Sequence, residues 1–118
     1  MLTKERKQSL IEKRDALQEK INDIEEMLHV DMLMRAEALY PDIKKGTRVT
    51  VTSKDWRGIE TTENLVFDHY RVDKGLIDLN FEPGLVIAYF YKIKKDGKES
   101  AHSQIYNLGR IISMIKTQ

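Results

Sequence analysis

Three histidines are the side chains of this 118-residue sequence best suited to acid–base or metal chemistry. His29 follows Glu26 by three positions, the helical spacing of carboxylate and imidazole in di-iron bundles, but such sites need a second copy of the motif and further carboxylates. We interpret His29 as a surface residue with Glu25 one helical turn before it. The sequence predicts neither a catalytic centre nor a metal site, and no cofactor.

His69 could act as a general base if a serine and an orienting carboxylate came near. Asp68 precedes it, but neighbouring strand residues point to opposite faces, so Asp68 is not expected to orient the imidazole. The sequence has no Gly-x-Ser-x-Gly elbow, no glycine-rich phosphate loop, no metal-spaced histidine pair and no cysteine. These features favour a protein that is not an enzyme, with a small enzyme of unknown type as the minor alternative.

A polar loop with the sequence SKDWRGIETTEN carries the sole tryptophan, Trp56, beside Arg57. Tryptophan and arginine are over-represented among the hot spots of protein interfaces. Trp56 is therefore a candidate partner-binding residue. The alternative is that its ring folds back and plugs one end of a small barrel.

Residues 88–106 hold four lysines and three tyrosines. Within them, Asp96-Gly97 predicts a two-residue hairpin loop with positive φ at both central positions. That register places Lys94 opposite Glu99 and Tyr91 opposite His102.

The functional alternative for this stretch is a platform of Tyr89 and Tyr91 for the bases of single-stranded nucleic acid. It requires the rings on a solvent face. The sequence instead favours a core role, because Ile87, Tyr89, Tyr91 and Ile93 share one face of the predicted strand.

Two sets of candidate binding residues follow. For a protein partner they are Trp56, Arg57, His69, Tyr91 and His102; for nucleic acid they are Lys44, Lys45, Arg48, Arg57, Arg71, Lys92 and Lys94. The formal charge is −2 over residues 1–40 and +3 over residues 41–118. Neither value reaches the basic excess typical of non-specific phosphate binding, so charge favours the protein partner.

These residues need elements to position them, and the first is a long helix. From Thr3 to Leu39 the sequence has no glycine or proline and is rich in helix formers, with Thr3 as cap and Pro41 as stop. A heptad seam runs through Leu10, Leu17, Ile21, Ile24 and Leu28, interrupted by Arg14.

The heptad ends at Asp31, after which steps of four continue through Met32 and Ala36, so the far half is expected to pack elsewhere. Such a helix is about 55 Å long, whereas the remaining residues make a body about 30 Å across. We predict self-association through the seam, with parallel and antiparallel pairing both open. The alternative is that the stripe covers the chain's own sheet.

After Pro41 the apolar period changes to two. Alternation over Val49 and Val51, and again over Ile77, Leu79 and Phe81, predicts strands, and turn signals recur at strand-sized intervals. The apolar residues of the segment VFDHYRV do not keep to one alternating pattern, so the sequence is compatible with a β-bulge there. We predict five or six antiparallel strands in an SH3-like small barrel or a strongly curved sheet.

The predicted fold class is α+β, with a helical arm over residues 1–40 and a small β domain over residues 41–118. No apolar run is long enough for a signal peptide or a membrane span, so we expect a cytoplasmic protein without a membrane partner. The first functional hypothesis is a homodimeric, non-enzymatic accessory, regulatory or inhibitory factor that binds another protein, of the kind that mobile elements encode. The second is a nucleic-acid-binding small barrel.

Overall fold

The computed structural model describes residues 1–73 and 81–117. The predicted strand through Ile77 and Leu79 lies outside these residues, as does most of the turn predicted to precede it. Within the described residues the molecule measures 67 × 31 × 28 Å. The long dimension comes from a helix that extends beyond the β part of the chain.

Helix α1 spans Lys4–Leu39, so the prediction of one long helix is confirmed. Thr3 is its N-cap, with extended backbone angles and a hydroxyl that accepts a hydrogen bond from the backbone N–H of Arg6 at 3.1 Å. The helix ends at Leu39, just before Tyr40, the residue that Pro41 disfavours in helical geometry.

Within the described residues, five antiparallel strands form one sheet in the order β4-β3-β2-β1-β5. Their bounds are Arg48–Lys54 for β1, Glu60–Val72 for β2, Val86–Ile93 for β3, Glu99–Asn107 for β4 and Ile111–Lys116 for β5. Short 3-10 turns at Pro83–Leu85 and Leu108–Arg110 precede β3 and β5. The α+β class is confirmed. The predicted closed barrel is not, because the described strands make an open sheet with β4 and β5 at its two edges.

One face of the sheet carries the core. Val49, Val51 and Leu65 are buried there, as the alternation around Val49 predicts. Met32 and Ala36 of α1 pack against this face of the sheet and belong to the same core. Burying the side chain of Met32 contributes roughly 1.5–3 kcal/mol, which helps to hold the C-terminal third of α1 against the sheet.

Strand β3 presents the opposite face to the core from the one predicted. Val86, Ala88 and Phe90 are buried, whereas Tyr89 and Tyr91 are half-buried on the other side. The prediction that the face of Ile87, Tyr89, Tyr91 and Ile93 is core is therefore wrong. Both faces of this strand are apolar, so alternation alone could not choose between them.

The β3–β4 hairpin has a longer loop than predicted. Gly97 has φ +84, and no other residue of the loop has positive φ. Lys94 N–H donates to the Lys98 carbonyl at 2.8 Å, and Gly97 N–H donates to the Lys94 carbonyl at 2.9 Å. This is a three-residue loop with glycine in the left-handed position, which needs one positive φ instead of two.

The three-residue loop places Glu99 opposite Ile93, one residue from the predicted register. A register shift between Tyr91 and Ile93 then places Ser103 opposite Tyr91. The predicted pairs of Lys94 with Glu99 and of Tyr91 with His102 are wrong. His102 is exposed in the irregular part of β4, between the residues paired with Ile93 and Tyr91.

Candidate interaction surfaces

The connection between β1 and β2 is a tight loop over residues 55–59, which we call the Trp56 loop. Asp55 N–H donates to the Ile59 carbonyl and Gly58 N–H to the Asp55 carbonyl, both at 3.0 Å. Gly58 has φ +81, a conformation that L side chains rarely adopt. Hydrogen bonds therefore hold the loop on both sides of the tryptophan.

The carboxylate of Asp55 organises the same loop from within. Its Oδ1 accepts from the backbone N–H groups of Arg57 at 2.8 Å and Ile59 at 3.0 Å, and its Oδ2 accepts from the Arg57 guanidinium at 3.0 Å. The hydrogen bond from Ile59 is the main cause that lowers the pKa of Asp55 below its ordinary value, opposed by desolvation and assisted by Arg57. The ionised form is the one that fits the loop.

Trp56 projects from this loop into solvent, with 81% of its surface exposed. The Arg57 guanidinium lies 5.7 Å from the centre of the indole. The alternative in which the ring plugs the end of a barrel is therefore wrong. Ile59, at the end of the loop, is exposed as well, so two large apolar side chains stand together at this end of the sheet.

A polar cleft lies beside the Trp56 loop and was missed by the sequence analysis. Asp55, Glu63, Tyr106 and Arg110 line it. The Tyr106 hydroxyl donates to Glu63 Oε1 at 2.6 Å, and burial followed by this bond raises the pKa of Tyr106. The two residues are 43 positions apart, and no local pattern links them.

The second exposed apolar feature is the N-terminal part of α1. Leu17 is 59% exposed and Ile24 54%, and Leu10 and Ile21 are exposed with them. Leu28, where the helix approaches the sheet, is half-buried. The predicted seam therefore lies almost wholly outside the core of its own chain, whereas the continuation through Met32 and Ala36 is buried.

The outer face of the sheet, opposite the core, carries aromatic and basic groups. The ring of His69 stacks on Tyr89 with centroids 4.6 Å apart and an angle of 8°. Tyr91 follows on the same face of β3, and Arg71 lies opposite Ile87 on β2. These tyrosines therefore lie on the face opposite the core, contrary to the prediction from the sequence pattern.

A bulge in β2 brings Asp68 and His69 together. The register with β3 shifts between Phe67 and His69, which are partners of Phe90 and Tyr89. His69 Nδ1 and Asp68 Oδ2 are 2.5 Å apart, and the carboxylate also lies 3.8 Å from Lys45 Nζ. The expectation that alternation would keep Asp68 away from the imidazole is wrong, because the bulge interrupts the alternation.

The five protein-partner candidates do not form one surface. Trp56 and Arg57 share a loop that enters β2 at Glu60, whereas Tyr91 lies opposite Val66. Six residues of strand separate these two points, about 20 Å. His69 is on the face of Tyr91, and His102 is exposed on the edge strand β4.

The seven basic candidates are also dispersed. Arg57 is bound to Asp55, Lys45 approaches Asp68, and the Arg48 guanidinium donates to the Gly97 carbonyl. Lys92 and Lys94 are exposed but alternate with Tyr91 and Ile93, so they point away from the outer face. Lys44 is exposed before β1, which leaves Arg71, two positions after His69 on β2, as the basic candidate on the strand that carries the stacked histidine.

His29 lines an open groove between α1 and the end of β2, with Glu25 and Glu26 on one wall and Arg71 on the other. Among residues 1–73 and 81–117, no group of three or more histidine and acidic side chains could hold a metal ion. No helix in the described residues is long and apolar enough to cross a membrane.

Comparison of the chain with models of protein families, with curated protein sequences and with solved structures found no match.

Proposed function

We propose that this protein is a non-enzymatic, homodimeric interaction module of the cytoplasm. Its β part binds another protein through the Trp56 loop, and its arm joins two copies. The observation that carries the proposal is the 81% exposure of Trp56 on a loop held by its own hydrogen bonds. Its biological role is that of an accessory, regulatory or inhibitory factor.

Exposure of an indole in water is energetically costly. An exposed tryptophan ring leaves a large apolar surface in water, and a partner that covers it removes that surface. Because the Asp55 hydrogen bonds already order the loop, less conformational entropy remains to be lost on binding. A preorganised tryptophan beside an arginine is typical of interface hot spots.

The neighbouring cleft supports a protein partner. Glu63, Tyr106 and Arg110 offer a carboxylate, a hydroxyl and a guanidinium within one opening next to the loop. An apolar anchor flanked by polar groups matches the centre and rim of a protein interface.

Strand order supports an SH3-like arrangement of the β part, although the described sheet is open. β5 lies beside β1, and a 3-10 turn connects β4 to β5. In such an arrangement the β1–β2 loop and this 3-10 turn are close, as the cleft shared by Asp55 and Arg110 illustrates. An analogy between folds can suggest which surface binds a ligand, but the kind of ligand must be inferred from the residues on that surface.

Self-association is the second part of the proposal. Four of the five seam residues are exposed in the single chain, and burying each would contribute about 1.5–3 kcal/mol. A second arm is the natural cover because an a/d seam is complementary to itself.

The experiment is affinity capture from a lysate of the source cells, with and without nuclease, read by mass spectrometry. We expect one protein to be captured in stoichiometric amount after nuclease treatment. Trp56→Ala should abolish this capture, whereas Ile115→Ala should retain it, because Ile115 is a 63% exposed residue of β5 that lies opposite Thr50, away from the loop. A captured protein that binds Trp56→Ala equally well would refute the role of the loop.

The stacked rings favour nucleic acid as a second candidate function. The His69–Tyr89 stack, with Tyr91 and Arg71 on the same face, could receive the bases of a single strand. A fluorescent oligothymidine would then bind with an affinity that falls steeply between about 50 and 200 mM salt. Arg71→Glu should weaken this binding more than Lys94→Glu, which points away from the rings. Equal effects, or no binding at low salt, would dismiss it.

A further inference from the structure

The charges of the arm are divided along its length. Residues 1–14 contain five basic and two acidic side chains, whereas residues 15–31 contain six acidic and one basic. The net charges are therefore +3 and −5. Among these acidic groups, Asp31 already has Arg35 as an ion-pair partner at 2.9 Å.

This polarity opposes the preference of an isolated helix. The N-terminus of a helix carries a partial positive charge and favours acidic neighbours. Here Glu5 is the one acidic residue of the first turn, and the last turn has no basic residue. This distribution of charges does little to stabilise an isolated helix, so we infer that it acts between two helices.

We propose that two copies of the arm pair antiparallel, with residue 19 near the centre of the paired region. This inference rests on the proposed self-association and specifies its orientation. In this register residues 1–14 of one arm lie beside residues 24–37 of the other, which contain four acidic side chains and one basic side chain. Parallel pairing would place +3 beside +3 and −5 beside −5.

The seam agrees with the same register. Centred on residue 19, Leu10 lies opposite Leu28 of the partner subunit, and Leu17 lies opposite Ile21 of the partner subunit. Every apolar seam residue then meets an apolar residue, except Ile24, which meets Arg14 of the partner subunit.

Arg14 argues independently against a parallel pair. It occupies an a position, and in a parallel dimer the two a residues of a layer are adjacent, so two guanidinium groups would meet inside the seam. In the antiparallel register each Arg14 lies beside Ile24 of the partner subunit, which is flanked by the acidic residues 23 and 25. Its contact in the single chain, with Asp15 at 3.1 Å, is solvent-exposed and weak.

The consequence is an elongated dimer. The sheet is attached to the C-terminal third of α1, so antiparallel arms carry the two sheets at opposite ends. The two Trp56 loops are then separated and can engage two partner molecules at once.

Pulsed electron paramagnetic resonance tests the orientation, because the chain contains no cysteine and accepts single spin labels. Ser9→Cys and Gln18→Cys both lie on the exposed arm. In the antiparallel register Ser9 lies opposite position 29, so the two Ser9 labels are separated by about 20 residues of helix, or about 30 Å. Gln18 lies next to the centre, and its labels should be much closer together.

A long Ser9 distance with a short Gln18 distance is the expected result. Short distances at both sites would establish parallel pairing and overturn this inference while leaving self-association intact. Long distances at both sites would mean association away from the seam and would overturn the register. A monomeric mass by light scattering, with no dipolar signal, would overturn the proposed self-association as well.

Discussion

The carboxylate of Asp55 lies 3.0 Å from the backbone nitrogen of Ile59, so one side chain spans the turn that carries Trp56. The same Oδ1 accepts from the Arg57 N–H at 2.8 Å. This bridge makes an exposed tryptophan compatible with an ordered loop. The loop has its own local hydrogen bonds and does not depend on burial of the indole.

Replacing Asp55 with alanine should therefore loosen the loop without unfolding the sheet. Two backbone N–H groups and the Arg57 guanidinium would lose their acceptor. We expect the fluorescence anisotropy of Trp56 to fall and partner binding to weaken towards that of Trp56→Ala. Asp55→Asn keeps the oxygen acceptor and should have the smaller effect. Unchanged anisotropy in Asp55→Ala would show that backbone hydrogen bonds alone order the loop.

The loop should be sensitive to acid only below the ordinary pKa of an aspartate. The pKa of Asp55 is lowered from 3.8 in the folded state, so its contribution is complete above that value and is lost as the pH falls through the lower, folded value. We expect Trp56 anisotropy to be constant from about pH 8 to 4 and to fall below that range. Asp55→Asn lacks this titration and serves as the control. A transition between about pH 7 and 5 would implicate another group.

Ile21→Asp should convert the protein to a monomer that keeps its fold. Ile21 is 48% exposed in the single chain, so the change costs the isolated fold little, whereas a carboxylate in a paired seam would be desolvated. Light scattering should give half the wild-type mass with an unchanged circular dichroism spectrum. Val30→Asp is the matched control, because Val30 is also 48% exposed but lies off the seam. A folded Ile21→Asp protein of unchanged mass would refute pairing through the seam.

Ala36→Leu should disturb the attachment of the helix to the sheet. Ala36 is fully buried where α1 meets the core, and inserting a larger side chain into a packed core typically costs about 1–3 kcal/mol. Urea denaturation followed by circular dichroism measures this loss, since exposed Trp56 is a poor reporter of unfolding. Ala38→Leu, at an exposed position of the same helix, should be nearly neutral. Equal stability of the two variants would mean that the helix adjusts its distance from the sheet.

Several features could be predicted from sequence because their causes are local. The absence of glycine and proline, with Thr3 before the helix and Pro41 after it, predicted α1 almost to the residue. Alternation around Val49 predicted both β1 and its buried face. The sequence alone also determines the division of charge along the arm, because that division depends only on residue order.

Tertiary structure decided which of two equivalent faces is used. Both faces of β3 are apolar, and only packing against Met32 and the rest of the core makes Phe90 inner and Tyr91 outer. The bulge at Asp68 is likewise a matter of pairing with β3, and it places the carboxylate beside His69 against the local alternation.

The position of Trp56 likewise has one local cause and one tertiary cause. Asp55 and Gly58 are local signals for a tight loop, and they formed one. Whether the indole would turn inward depended on whether the sheet left an opening at that end, which is a property of strands far apart in sequence. Local hydrogen bonds and backbone sterics act over a few residues, so their effects can be predicted from the order of residues in the sequence. Burial depends on which distant segments pack together, and this is determined only in the tertiary structure.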